Sequence, residues 1–245
     1  PAYLSPLPDD AGAVKDSLAH PFGSFPLSEE ARGARKVAIV TSDITRPVPN
    51  RIILPLVIEE LERAGVPERN IIICIGTGTH RLQTMEELDM MLGSDIVSRF
   101  RIVQNDSRNP DSFVEVGRAS SGYDAFLNRE FMGCDLKVLT GFVEPHFFAG
   151  FSGGAKAVMP GMASLDTVMR NHGARNIDDP RSTWGVIDGN PLRAEIEGIA
   201  RMAGKLFIVN VTLNRDKRIT GVFSGSLEEA YPRACEFERK QAMVQ

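Results

Sequence analysis

Four short runs of apolar, mostly β-branched residues most constrain what this chain can fold into: "KVAIVT" at 36–41, "NIIICIG" at 70–76, "DLKVLTGFVE" at 135–144 and "KLFIVNVTLN" at 205–214. Each is too short for a buried helix and too uniformly apolar for a strand with one wet face, so each reads as a strand buried on both sides. Between them lie stretches with helical spacing. "NRIILPLVIEELERAG" closes on Gly65, and "TMEELDMMLG" opens on Thr84 with Glu87 three positions on, the pattern of a capping box. "NPLRAEIEGIARMAG" and "SLEEAYPRACEFERKQA" follow later, the second with Ser226 as its expected N-cap. "FRIVQN" is a further strand, and "RITGVFSG" pairs with the preceding strand across a turn at Arg215-Asp216. Strands alternating with helices predict an α/β protein, a Rossmann-like parallel or mixed sheet covered by helices on both faces. Residues 1–35, rich in Pro, Gly, Ala and Ser without a sustained period, predict an extended amino-terminal arm with short helical turns. Residues 36–245 predict one α/β domain, and the polar segment between "FRIVQN" and "DLKVLTGFVE" is expected to be irregular.

Composition narrows the function. A formal net charge of -4 and scattered basic residues argue against a sequence-independent nucleic-acid binder. No apolar run reaches the ~18 residues of a membrane span, and no signal peptide opens the chain. The three cysteines are far apart, without the CxxC spacing of a disulfide framework or zinc knuckle, so a reducing cytoplasm is the expected setting. Pro1 is not an initiator Met and the last residues stop in a helical pattern, as expected of a piece of a longer protein.

In open α/β sheets ligands bind beyond the carboxyl ends of the strands. Three loops occupy those ends: "SDITRP" after the first strand, "GTGTHR" after the second and "EPHFFAGFSGGAKAVMPG" after a later one. They carry His80, His146 and Lys156, while His172 ends the helix that follows; His20 lies in the arm and is incidental. Histidine is the natural acid/base at neutral pH and a common metal ligand, although a single histidine is more often a surface or satisfied residue. Arg46 can grip a carboxylate or phosphate bidentately. Asp43 reads either as part of that site or as an N-cap for the next helix. Lys156 is a solvated lysine, a phosphate contact or a desolvated amine capable of a covalent bond. The glycine-rich stretch is not a P-loop, because Gly154 is followed by Ala155, Lys156 and Ala157. Gly150-Phe151-Ser152-Gly153-Gly154 matches GxSxG, but no strand runs directly into it, so a nucleophile elbow is not expected.

Together, "SDITRPVP", "GTGTHR", "EPHFFAGFSGGAKAVMPG" and "MRNHG" resemble, in that order, the motifs of the nickel-pincer lactate racemases and their relatives. The resemblance runs from about Asp43 to at least Phe223. It implies a nickel-pincer nucleotide, a pyridinium mononucleotide that holds nickel through sulfur, carbon and sulfur, attached covalently at Lys156. His172 would be the protein's ligand to nickel. Asp43, Ile44, Thr45 and Arg46 would bind the cofactor, and Arg46 also the anionic end of the substrate. His80 and His146 would be the acid/base pair of a racemase or epimerase acting on a lactate-like 2-hydroxy acid, with hydride moved to and from the cofactor. Cofactor-maturation enzymes would be partners, and a host without them is expected to yield protein lacking the cofactor. The resemblance also implies a carboxy-terminal domain that closes over the substrate. This chain ends before it, so little turnover is expected of the chain alone. Two other readings stay open: a non-catalytic nucleotide- or anion-binding protein, and a hydrolase with zinc on His80, His146 and His172.

Overall fold

The computed structural model describes residues 4–242. Strands β1 (Val37–Ser42), β2 (Ile71–Gly76), β3 (Arg101–Gln104), β6 (Leu136–Phe142), β9 (Leu206–Leu213) and β10 (Ile219–Gly225) form one sheet in the order β10-β9-β6-β1-β2-β3. Neighbours are parallel except β10, which pairs antiparallel with β9 across the turn at Arg215-Asp216. The sheet is therefore mixed, as the alternation of elements predicts. Successive side chains in the buried strands feed two separate cores, as the period of two requires. Val37, Ile39, Ile71, Ile73 and Ile75 meet helix α3 (Asn50–Arg63) on one face, whereas Ala38, Val40, Ile72 and Cys74 belong to the opposite core. That second core is covered by α9 (Pro191–Arg201) and α10 (Leu227–Ala242).

The terminal signals read from the sequence are present. Thr84 and Glu87 form a reciprocal capping box on α4 (Met85–Leu92), and α5 (Ser94–Arg99) follows it. Gly65 takes a positive φ of 87° after α3, and Ser226 Oγ accepts the Glu229 amide at the start of α10. All three cysteines are buried and free. Among the described residues no helix is long and apolar enough to cross a membrane.

Two expectations need correction. The arm is not extended throughout: α1 (Asp10–Ala19), capped by Asp9, and α2 (Leu27–Glu30) pack on the α3 face. Only Val14, Ser17 and Leu18 of α1 are buried, a stripe too narrow to show as periodicity in a segment full of small residues. The segment after β3 is not irregular, but a hairpin of β4 (Phe113–Arg118) and β5 (Asp124–Asn128), leading into α6 (Arg129–Met132). Its inward positions, Phe113, Ala125 and Leu127, are apolar, while a register shift between Glu115 and Gly117 breaks the alternation that would have betrayed β4.

Candidate active site

The chain order β1-β2-β3 proceeds to one side of β1, whereas β6 lies on the other, so the direction of winding reverses between β1 and β6. The loops leaving β1 and β6 diverge there and open a crevice, the usual ligand position in such sheets. A cavity of about 350 Å³ occupies it. Asp43, Arg46, His80, His146, Lys156 and His172 all line this cavity, although they are drawn from four separate parts of the chain. Ile44 and Thr45 do not line it; Thr45 instead donates through N and Oγ1 to Asp43 Oδ1, at 3.0 and 2.5 Å.

Asp43 is buried and does not cap α3, whose N-cap is Pro49. Its other carboxylate oxygen accepts from His80 Nδ1 at 2.5 Å. Because a carboxylate only accepts, Nδ1 carries a proton in this pair, and in the neutral ring Nε2 is the acceptor. His146, on the two-residue strand β7 (Pro145–His146) that pairs with β8 (Gly150–Phe151), has the opposite arrangement. The Phe148 and Ala149 amides donate to its Nδ1 at 3.4 and 3.3 Å, which puts the proton of the neutral ring on Nε2. Burial, then the charges of Lys156 and Arg46, pushes its pKa down to about 3. His172, at the carboxyl end of α7 (Leu165–Asn171), donates from Nδ1 to the Val168 carbonyl at 3.1 Å, leaving Nε2 free. Burial and the Lys156 charge lower its pKa to about 4. The partners thus place the ring protons differently, and His146 and His172 are neutral at physiological pH.

Lys156 lies in a 3-10 turn, Gly154–Ala157. Its Nζ is 5.8 Å from the Phe148 ring centroid, and burial, then the charges of Arg193 and Arg46, lowers its pKa to about 7. A substantial share is the uncharged amine, the nucleophilic form. Phe148 also meets the rings of His146 and His172 edge-on, at 4.5 and 5.1 Å, so it forms the apolar wall that dries this part of the site. Gly153 and Gly154 make the approach to the turn possible, with φ of 75° and 54°. Ser152 is no nucleophile: its Oγ donates to the Phe142 carbonyl and accepts from the Glu144 amide, both at 2.9 Å, which staples the loop to the end of β6.

The sequence reading missed the aromatic wall, although "HFF" was its visible signal. It also missed Arg193 and Glu195, two buried charged residues on α9 that nothing local distinguishes. Among the described residues no three His, Cys, Asp or Glu side chains come close enough to hold a metal ion by themselves, which opposes the three-histidine zinc site.

The fold and site together define an α/β domain with a ligand-sized crevice at the switch point, lined by three histidines and a desolvated lysine. Residues 1–185 match the lactate racemase N-terminal domain, and the chain belongs to that family. It is 42% identical over 231 residues to the lactate racemase of Lactiplantibacillus plantarum, covering 94% of this chain and 54% of that protein. It is 38% identical over 231 residues to the lactate racemase of Thermoanaerobacterium thermosaccharolyticum, with the same shares covered. The chain thus spans about half the length of these relatives. The solved structure of the lactate racemase apoprotein from the latter organism superposes with a TM-score of 0.92 at 37% identity, over 98% of this chain and 57% of that one. A Thermotoga maritima protein of 24% identity, with a TM-score of 0.80 over 98% of this chain and 61% of that one, shares the fold.

Proposed function

We propose that this chain is the cofactor-binding and acid/base part of a racemase acting on a lactate-like 2-hydroxy acid, and that it holds a nickel-pincer nucleotide. One observation carries the reading: an amine partly uncharged near pH 7, a neutral imidazole with a free Nε2, and two further histidines whose Nδ1 atoms have opposite partners line one cavity at the switch point. The residues fit the group. Lys156 offers the uncharged amine needed for a covalent bond to one arm of the nucleotide. His172 offers an unprotonated nitrogen on a ring oriented by a backbone carbonyl, as metal-bound histidines usually are. When bound, the group would supply an acceptor and donor of hydride at the substrate's α-carbon.

The remaining work falls to the chain. His80, its Nδ1 proton held by Asp43, can take the substrate's hydroxyl proton at Nε2. His146 presents a proton at Nε2 and can donate at the other face. Racemisation needs such an acid and base in each stereochemical direction, and each positioned group is typically worth ~10²–10⁴-fold. Arg46, exposed at the cavity mouth, can hold the substrate carboxylate. Phe148 excludes water from the buried side.

The test is intact-mass spectrometry with metal analysis after co-production with the pincer-making enzymes. A mass increment mapped to Lys156 with stoichiometric nickel is expected, and both should vanish in Lys156→Ala. An unmodified chain without nickel would move the anion-binding reading, favoured by Arg46 and by the protonated share of Lys156, ahead of this one.

A further inference from the structure

Helix α9 begins beneath the site and touches it three times. Asn190, its N-cap, accepts from the Arg193 amide and donates from Nδ2 to the Phe148 carbonyl at 2.9 Å. Arg193, 1% exposed, donates from Nη1 to the Phe151 carbonyl at 3.2 Å and from Nε to Glu197 at 2.8 Å. Its guanidinium lies 4.2 Å from the centre of the Tyr231 ring, and the Tyr231 hydroxyl reaches the Ser152 carbonyl at 2.9 Å. Glu195, 2% exposed, accepts from Asn171 Nδ2 at 2.9 Å, from Tyr123 OH at 2.8 Å and from the Ser121 amide at 3.0 Å. Asn171 is the residue before His172.

Arg193 Nη2 finds no acceptor among the described residues, and a buried guanidinium with an unmet donor is costly where an apolar side chain would pack. We propose that α9 is the positioning element of the site, with Arg193 clamping the floor of the turn that presents Lys156 and Glu195 fixing the end of α7 that presents His172. Residues two apart on a helix point in well separated directions, so one helix can hold two loops independently. The Arg193 charge, acting after burial itself, also favours the uncharged Lys156 amine. This inference rests on the assignment of Lys156 and His172 given above.

The two contacts make separable predictions, read on the chain without cofactor. Lys156 acylation by acetic anhydride is followed by mass spectrometry against the exposed Lys15, and His172 is followed by its imidazole resonances. Arg193→Met should lower relative Lys156 acylation several-fold at pH 7 and leave the His172 signals in place. Glu195→Gln should do the reverse, because the amide cannot accept from every donor the carboxylate holds. Unchanged acylation in a cooperatively melting Arg193→Met, or both readouts moving together in both variants, overturns the proposal. Should Arg193→Met not melt cooperatively, Arg193→Lys is read instead. A lysine cannot reach both Glu197 and the Phe151 carbonyl, so wild-type acylation there would equally overturn it. A chain that never acquires nickel or an adduct would sink the proposed function while leaving these readouts intact.

Discussion

The glycine-rich turn can be tested where its backbone comes closest to rigid structure. Gly154 sits at φ 54°, and a Cβ added there would lie 2.5 Å from Tyr231 Cδ2, where ordinary contact begins at 3.4 Å. The ring cannot step aside freely. Its hydroxyl bonds the Phe151 and Ser152 carbonyls at 3.2 and 2.9 Å, and Arg193 covers its face. Gly154→Ala therefore combines left-handed strain of roughly 1–2 kcal/mol with overpacking of roughly 1–3 kcal/mol. The sum, about 2–5 kcal/mol, should lower Tm by about 5–15 °C in a chain of this size. Calorimetry on a double-mutant cycle separates the two parts. With Tyr231→Leu the steric part disappears, so the second substitution should cost about 1–3 kcal/mol less than it does alone. Tyr231→Phe, which keeps the ring, should leave most of the cost in place. Losses that add within ~0.5 kcal/mol in the Leu background would show that the turn is not held against Tyr231.

Asp43→Asn keeps the shape of the His80 pair but removes the carboxylate that fixes its tautomer; lactate racemisation by the cofactor-loaded whole protein, followed by chiral chromatography, should fall at least ~10²-fold. An unchanged rate would remove His80 from the acid/base role. Stability should also fall with acid. His146 and His172 have folded pKa values of about 3 and 4 against an ordinary 6.5, so the unfolded chain binds more protons as pH drops from 6.5 towards 4. Their neutral burial is thus without proton-linked cost above 6.5 and loses up to ~1.4 kcal/mol per pH unit per ring below it. Urea midpoints between pH 4.5 and 7 should show a slope that His146→Gln with His172→Gln reduces; identical slopes would refute the buried, neutral assignment. Lys156 has the same sign at higher pH. Its folded pKa near 7 against 10.5 makes stability rise from pH 7 towards 10.5, a gain absent from Lys156→Met.

Much of the site was legible because its signals are local. Buried strands announce themselves by apolar runs; the loops that follow carry Asp43, Arg46, His80 and His146 within a few residues of a strand end, and Lys156 further along the glycine-rich loop. The capping box at Thr84 and the glycine after α3 were equally readable, since each depends on backbone groups only a few residues away. The hairpin β4–β5 and helix α1 were not, because their stability comes from partners far along the chain, and their own patterns are interrupted or too narrow. The tautomers of the three histidines were likewise invisible. They are set by Asp43, by two loop amides and by one helix carbonyl, none of which a residue type reveals.

The sequence by itself determined the alternation of elements and the chemical content of three loops, since propensity, capping and burial period act over one to four residues. Only the tertiary structure decided that β6 returns beside β1 and not beyond β3, and this one choice brings Lys156 and His146 against Asp43 and His80. It also decided that Arg193 and Glu195 are buried and hydrogen-bonded rather than surface charges on a helix. Strand order and helix docking are long-range outcomes, selected by which apolar faces can be covered together, and no short stretch of the chain contains that information.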